Sequence, residues 1–294
     1  MVRKSPVKSV GIILVSCLLG LILITEMGLG NEQKDTTSRS EENGEHKYSK
    51  EAMIWFLGHC GFALQTKNHF LIFDYIEKRL EGLYEEPENR SLATGYINPD
   101  EIRDLKVRVF VSHGHGDHHD SVIFGWKEKI PDIEYFFGWQ ALEEPEYNYL
   151  IGPRAEWKAD DIEIYTINSH HSGVPEVAYL VLVDGLAIYH NGDCKVDYKE
   201  DIPYLKSKTD HLDIAFMPPV WEEKWDYYRI ILELINKMQP KALFPMHVRV
   251  GDEEEYFAPF MSTYGPKMKS GQIVLTGNEK GATYFYKDGR ITRE

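Results

Sequence analysis

Cysteine is scarce in this chain, three in 294 residues. Only Cys60 and Cys194 lie beyond the apolar N-terminal stretch, so at most one bridge can form within the remainder. Basic charge is also short, with 33 Lys and Arg against 47 Asp and Glu and a net charge of −14. Nucleic-acid binding takes most of its affinity from Lys and Arg. No nucleic-acid partner is therefore expected, and tight adsorption to anionic lipid is disfavoured for the same reason. No repeat of fixed period occurs, which excludes a solenoid or propeller array. Long apolar runs are limited to one, Val10 to Thr25.

That run follows Arg3, Lys4 and Lys8 and precedes Gly28-Leu29-Gly30. A basic flank, an apolar centre and small residues at a cleavage-like position make a secretory signal. Its 16 residues fall short of the roughly 20 that a spanning helix needs. An uncleaved anchor contacting the membrane is the alternative, so the protein is expected to be exported or membrane-anchored. Leu14-Val15-Ser16-Cys17 resembles a lipobox, but the apolar run continues past Cys17, which argues against lipidation. Residues 31–50 are polar, with Thr36-Thr37-Ser38 and Glu41-Glu42-Asn43-Gly44-Glu45 and no apolar period, and are expected to form a disordered tether. Residues 51–294 fit one domain with a sizeable core. Without residues 1–30 the balance is 30 basic to 46 acidic, a net −16. Cys60 and Cys194 either pair, as an exported chain allows, or remain two separate buried thiols. A thiolate ligand at Cys194 would crowd the neighbouring Asp193.

Against these scarcities stands one local excess, His113-Gly114-His115-Gly116-Asp117-His118-His119-Asp120. Its seven residues 113–119 hold four of the chain's 12 histidines, where about 0.3 is expected by chance. The segment follows the apolar run Val107-Arg108-Val109-Phe110-Val111, a strand that would present imidazoles at a rim. Imidazole and carboxylate are the usual ligands of zinc and its neighbours. In extended backbone, residues two apart share a side, so His113 and His115 can grip one ion. Asp117 and His118 diverge toward a second. Two adjacent ions acidify a water and clamp both oxygens of a displacement. Further ligand types stand at other strand ends: His170-His171 after Ile162–Ile167, Asp193 after the hairpin Val177–Val183 and Leu186–Tyr189, and His247 after Ala242–Pro245. No motif of an activated serine, cysteine or lysine nucleophile is present, which is consistent with direct attack by water.

With these residues in view the chain resembles the metallo-β-lactamase-fold hydrolase superfamily. His113-x-His115-x-Asp117-His118 matches its signature, and His171, Asp193 and His247 fall where its later ligands fall. Trp55-Phe56-Leu57-Gly58-His59-Cys60-Gly61-Phe62, with Leu71-Ile72-Phe73-Asp74, further resembles the branch of ascorbate-6-phosphate lactonase and N-acyl phosphatidylethanolamine phospholipase D. The resemblance spans about residues 52–286. It implies two divalent metal ions, foremost Zn2+, with Mn2+ or Fe2+ as alternatives. His113, His115 and His171 would hold one ion, Asp117, His118 and His247 the other, and Asp193 would bridge them. Asp117 and Asp193 thus become the candidate catalytic carboxylates. His171 is favoured over His170 because the family's ligand usually precedes a small residue. The implied activity is hydrolysis by a metal-activated water. A small-molecule or lipid-like phosphodiester is the first substrate class, and a lactone or other ester the second. A non-hydrolytic di-metal redox protein is a further class, but it typically carries glutamate where this chain has His115.

Short strands at 52–74, 133–137, 162–167, 177–183, 186–190, 212–216, 242–245 and 272–275, then a hairpin over 282–289, alternate with helices at 120–129 and 225–238. That order implies two sheets packed face to face with helices outside. It is an α+β chain and, through the resemblance, a four-layer αββα sandwich. Residues 77–105 are read as a long loop, and 140–149 as helix or coil. His59 is a candidate neighbour of the site through the resemblance. His190 either orients Asp193 or merely ends a strand, and His119 and Asp120 either bond to ligands or begin a helix. His46, His69 and His211 are read as surface residues. Most of Trp139, Trp157, Trp221, Trp225, Tyr227 and Tyr228 are expected in the core, with Trp221 on a loop lining the site.

Overall fold

Strict two-residue alternation decides how the strands sort their side chains. The computed structural model describes residues 49–77, 89–140, 146–159, 161–171, 173–193, 198–218, 225–247, 258, 261–262, 266, 271–277 and 279–294. The expectations for residues 1–48, for Trp221 and for Cys194 lie outside these.

The first sheet contains β1 (Glu51–Gly58), β2 (Gly61–Gln65), β3 (His69–Phe73), β4 (Lys106–Val111), β5 (Ile133–Phe137) and β6 (Asn148–Tyr149), in that spatial order. It continues beyond β1 with the C-terminal hairpin β14 (Thr283–Lys287) and β15 (Arg290–Arg293). The second sheet runs β13 (Gln272–Ile273), β12 (Ala242–Pro245), β11 (Ile214–Met217), β10 (Leu186–His190), β9 (Val174–Val183), β8 (Ile162–His171) and β7 (Glu156–Ala159). Each sheet has an antiparallel half and a parallel half, β3 to β6 in the first and β10 to β13 in the second.

Ile54, Phe56, Leu71, Phe73 and Phe110 meet Ile164, Val177, Tyr179, Val181, Phe216 and Phe244 in one buried layer between the sheets. The alternate residues face outward. Leu57, Phe70, Ile72, Val109 and Val111 pack beneath Ile123 and Trp126. On the other side Tyr165, Ile167, Ala178, Leu180 and Tyr189 pack beneath α1 (Asp201–Lys208) and α2 (Trp225–Met238). The fold is thus the expected sandwich of two sheets with outer layers.

Several boundaries differ from expectation. Residues 121–128 form a 3₁₀ segment rather than an α-helix. Val122, Ile123 and Gly125 are poor α-formers, and the first turn is held by Asp120, whose carboxylate accepts the Val122 N–H at 3.2 Å. Asp120 thus caps the segment, as the helix-start reading expects. α1 was not expected; its Pro203 masks the pattern, although proline is tolerated in a first turn. β8 and β9 are each longer than predicted and pair out to His171 and Val174. The strand expected at 212–216 is β11, and that at 272–275 is the shorter β13. Of the residues 140–149, the described Asn148 and Tyr149 are strand. His69 is buried, not on the surface; Asp184 and Asp161 flank its two ring nitrogens at 3.2 and 3.3 Å.

Candidate metal centre

Parallel strands in both sheets deliver their carboxyl ends to one rim, and each delivers a polar residue. Asp74 follows β3, the segment Ser112–Asp120 follows β4, Asn191-Gly192-Asp193 follows β10, and His247 lies two residues past β12. Residues scattered from Asp74 to His247 in the sequence therefore reach one rim.

The arrangement is built on Asp74, a buried carboxylate that sequence reasoning noted only as part of the Leu71–Asp74 match. It accepts the Ser112 N–H and the Ser112 hydroxyl, both at 2.7 Å. With its proton spent there, the Ser112 oxygen accepts from His113 Nδ1 at 3.0 Å, which turns the Nε2 lone pair of His113 into the site. The same Asp74 lies 2.7 Å from His118 Nδ1 and so aims His118 Nε2 inward. A carboxylate fixing the far nitrogen of an imidazole sets its tautomer and orientation.

Asp193 stands where these imidazoles converge. Its Oδ1 is 3.0 Å from His118 Nε2 and 3.1 Å from His247 Nε2, and its Oδ2 is 3.8 Å from His113 Nε2. His115 Nδ1 lies 3.0 Å from His113 Nε2. Asp117 is half-buried, its Oδ2 3.4 Å from His59 Nε2 and 3.6 Å from His247 Nε2. Six predicted residues, His113, His115, Asp117, His118, Asp193 and His247, are thereby brought together. His170 and His171 end β8 opposite Pro175 and Val174, and their side chains lie outside the description.

His59 belongs to the site as well, its ring centroid 4.0 Å from that of His247, and its carbonyl accepts the His247 N–H at 3.1 Å. His247 is held at φ 63°, a left-handed conformation that non-glycine residues rarely adopt and that clusters at functional sites. His190 does more than end a strand. Its ring stacks 5.2 Å from Phe73, its Nε2 is 3.0 Å from the Cys60 carbonyl, and its Nδ1 accepts the Gly192 N–H at 3.3 Å. It holds the turn that carries Asp193. His119 packs edge-on against Phe124 and Trp139. Cys60 is a buried free thiol 3.7 Å from His118 Nε2, and burial pushes that thiol up, away from the thiolate form.

The electrostatics suit a cation. Burial lowers His113 to about 3 and His59 to about 4, so both stay neutral, as ligation requires. Burial alone would raise Asp193, but hydrogen bonds from His118 and His247 outweigh it and hold this carboxyl well below the usual range. The same balance, with His247 and His59 as partners, holds Asp117 low. Ligand atoms of His113, His118 and Asp193 lie within 4.8 Å of one another, as do those of His59, Cys60, His118 and His247. Imidazoles around ionised carboxylates are a donor set that fits divalent transition metals.

Strand-end histidines and aspartates on a two-sheet sandwich define a metallo-hydrolase class of site, and comparison with known proteins agrees. Residues 53–247 match the family model described as the beta-lactamase superfamily domain. The chain belongs to this superfamily, and with it to a class of metal-dependent hydrolases. A UPF0173 metal-dependent hydrolase of Pyrococcus furiosus is 23% identical over 223 residues, covering 69% of this chain and 89% of the relative. Among solved structures, the metallo hydrolase Igni18 of Ignicoccus hospitalis matches with a TM-score of 0.54 at 17% identity, covering 80% of this chain and 98% of that one. The metallo-beta-lactamase fold protein YhfI of Bacillus subtilis matches with a TM-score of 0.55 at 12% identity, covering 81% and 100%.

Proposed function

We propose that this chain is a two-metal hydrolase of phosphodiester bonds, with zinc as the resident metal. The observation that supports it best is the placement of Asp193. One carboxylate oxygen faces His118 and His247 and the other faces His113, so that this residue would serve both ligand sets. His113, His115 and His171 would hold one ion, Asp117, His118 and His247 the other. Bound there, the pair would supply Lewis acidity that makes water a nucleophile at neutral pH and offsets charge on the attacking and leaving oxygens of an in-line displacement.

The chain's own residues prepare that chemistry. Asp74 and Ser112 fix the rings of His113 and His118 before anything binds. Asp117 remains ionised, so it accepts rather than donates a proton, and His59 beside it sets its direction. The acidic surface, at net −14, favours a small or lipid-like substrate over a polyanionic nucleic acid. The basic and apolar N-terminal segment supports an exported or membrane-anchored location.

The test is a panel of chromogenic phosphodiesters, lactones and thioesters, run with added zinc or manganese. Phosphodiester cleavage is expected to lead. Asp117→Asn should keep the fold by circular dichroism and lose at least about 10–100-fold in turnover, the usual cost of removing even a group that only orients a metal ligand. Lactone or thioester cleavage with no phosphodiester cleavage would overturn the substrate class. Wild-type turnover in Asp117→Asn would remove that residue from the centre.

A further inference from the structure

By strand parity Glu176 belongs to an apolar face. It shares a side of β9 with Ala178 and Leu180, which pack into the layer beneath the helices. An acid buried there is costly unless something bonds to it, and Glu176 is only 4% exposed. What it meets is the turn after β10. Its Oε1 accepts the Asp193 N–H at 2.5 Å and lies 3.9 Å from His113 Nδ1. The turn is shaped to receive it. Gly192 has φ +55°, and a Cβ there would stand 2.6 Å from Glu176 Oε1 and 3.1 Å from the Ser112 Cβ. Glutamate and glycine are thus fitted to each other across two strands, with the Asp193 amide between them.

The geometry points to Glu176 as a positioning residue: by holding the Asp193 amide it aims that carboxylate at both imidazole sets. It touches no substrate. This inference rests on Asp193 being the bridging ligand. Without the Oε1 acceptor, the Asp193 N–H loses the partner that β9 gives it, while His190 still receives the Gly192 N–H.

The experiment is zinc titration of the full chain against a competing chromophoric chelator, for wild type, Glu176→Gln, Glu176→Ala, Glu176→Asp and Asp193→Asn. Glu176→Ala should bind zinc about 10–100-fold more weakly, the usual effect of removing a group that orients a ligand. Glu176→Gln keeps an oxygen acceptor at the same reach and should recover most of that affinity. Should Glu176→Ala fail to fold, Glu176→Asp retains the charge but withdraws the acceptor by one methylene, and is expected to lose affinity as well. Wild-type affinity in Glu176→Ala or in Glu176→Asp would overturn the inference. So would an equal loss in Glu176→Gln and Glu176→Ala, because the charge rather than the acceptor would then matter. Asp193→Asn separates the two readings. If it leaves zinc affinity unchanged, the bridging assignment itself fails; if it weakens binding while the Glu176 variants do not, only the positioning role fails.

Discussion

His118 is the residue on which proton and metal compete most directly. Burial alone would depress its pKa, but Cys60 beside it, Asp74 on one nitrogen and Asp193 on the other outweigh that and raise it well above the ordinary value. In the metal-free protein it therefore carries a proton at neutral pH, on the Nε2 that points at Asp193 Oδ1. A metal ion must take that place and release the proton, because only neutral imidazole is a ligand. The sign follows: zinc affinity rises with pH while His118 is protonated in the free protein, by up to about tenfold per unit for each proton displaced. His113 and His59, lowered to about 3 and about 4, are neutral throughout and add nothing above pH 5. Titration calorimetry at pH 7 in buffers of different ionisation heat should find about one proton released per chain. A buffer-independent heat would contradict the assignment.

At the scale of elements, the strands that present ligands at one end must be tied at the other. Thr66 Oγ1 and the Asn68 N–H donate to Asp184 at 2.5 and 2.9 Å, Asn68 Nδ2 donates at 2.6 Å, and His69 Nδ1 lies 3.2 Å away. One carboxylate in the β9–β10 turn thus binds the β2–β3 turn of the facing sheet. Asp184→Ala takes this acceptor from the buried Thr66 hydroxyl and His69 ring and from the exposed Asn68 amides, and should cost about 1–3 kcal/mol of stability. Urea unfolding of the zinc-free chain measures it, with zinc affinity unchanged; a loss under about 0.5 kcal/mol, the surface-site range, would show the tie to be dispensable. This clamp also shows what the sequence hides. His69 follows the polar Lys67-Asn68 at the start of a strand and reads as exposed, because its partners Asp161 and Asp184 are about a hundred residues away. Glu176 was missed for the same reason: an isolated acid in Val174-Pro175-Glu176-Val177 signals nothing until the Asp193 amide is beside it. Asp74 shows the intermediate case, visible in a motif but without a role. The His113–His118 run was legible because its spacing alone brings the ligands together. Asp193 and His247 were legible because each ends an apolar strand. Boundaries failed where one residue type misled: Gly125 within the 3₁₀ segment, and Pro203 within α1.

For the whole molecule, the metal centre sits on a frame that does not depend on it. The layer between the sheets buries residues from Ala52 to Tyr286, including Phe56, Phe62, Phe73, Phe110, Phe216 and Phe244, and two further apolar layers lie outside the sheets. Small domains that fold only around a metal lack such a core. Chelation should accordingly abolish hydrolysis while leaving far-ultraviolet circular dichroism nearly unchanged. The freed site still carries a cost, since the carboxylates of Asp117 and Asp193 both approach His247 Nε2, at 3.6 and 3.1 Å. Restoring zinc stabilises only the folded chain, by about 4 kcal/mol at a free concentration a thousand times Kd. For a domain of this size each kcal/mol moves Tm by about 2–4 °C, so zinc should raise Tm by about 8–16 °C over the chelated protein. Differential scanning calorimetry with stepwise zinc addition makes the measurement. Unfolding on chelation would mean that the metals, and not the three apolar layers, hold the sheets together, and a Tm indifferent to zinc would mean that no metal binds the folded rim.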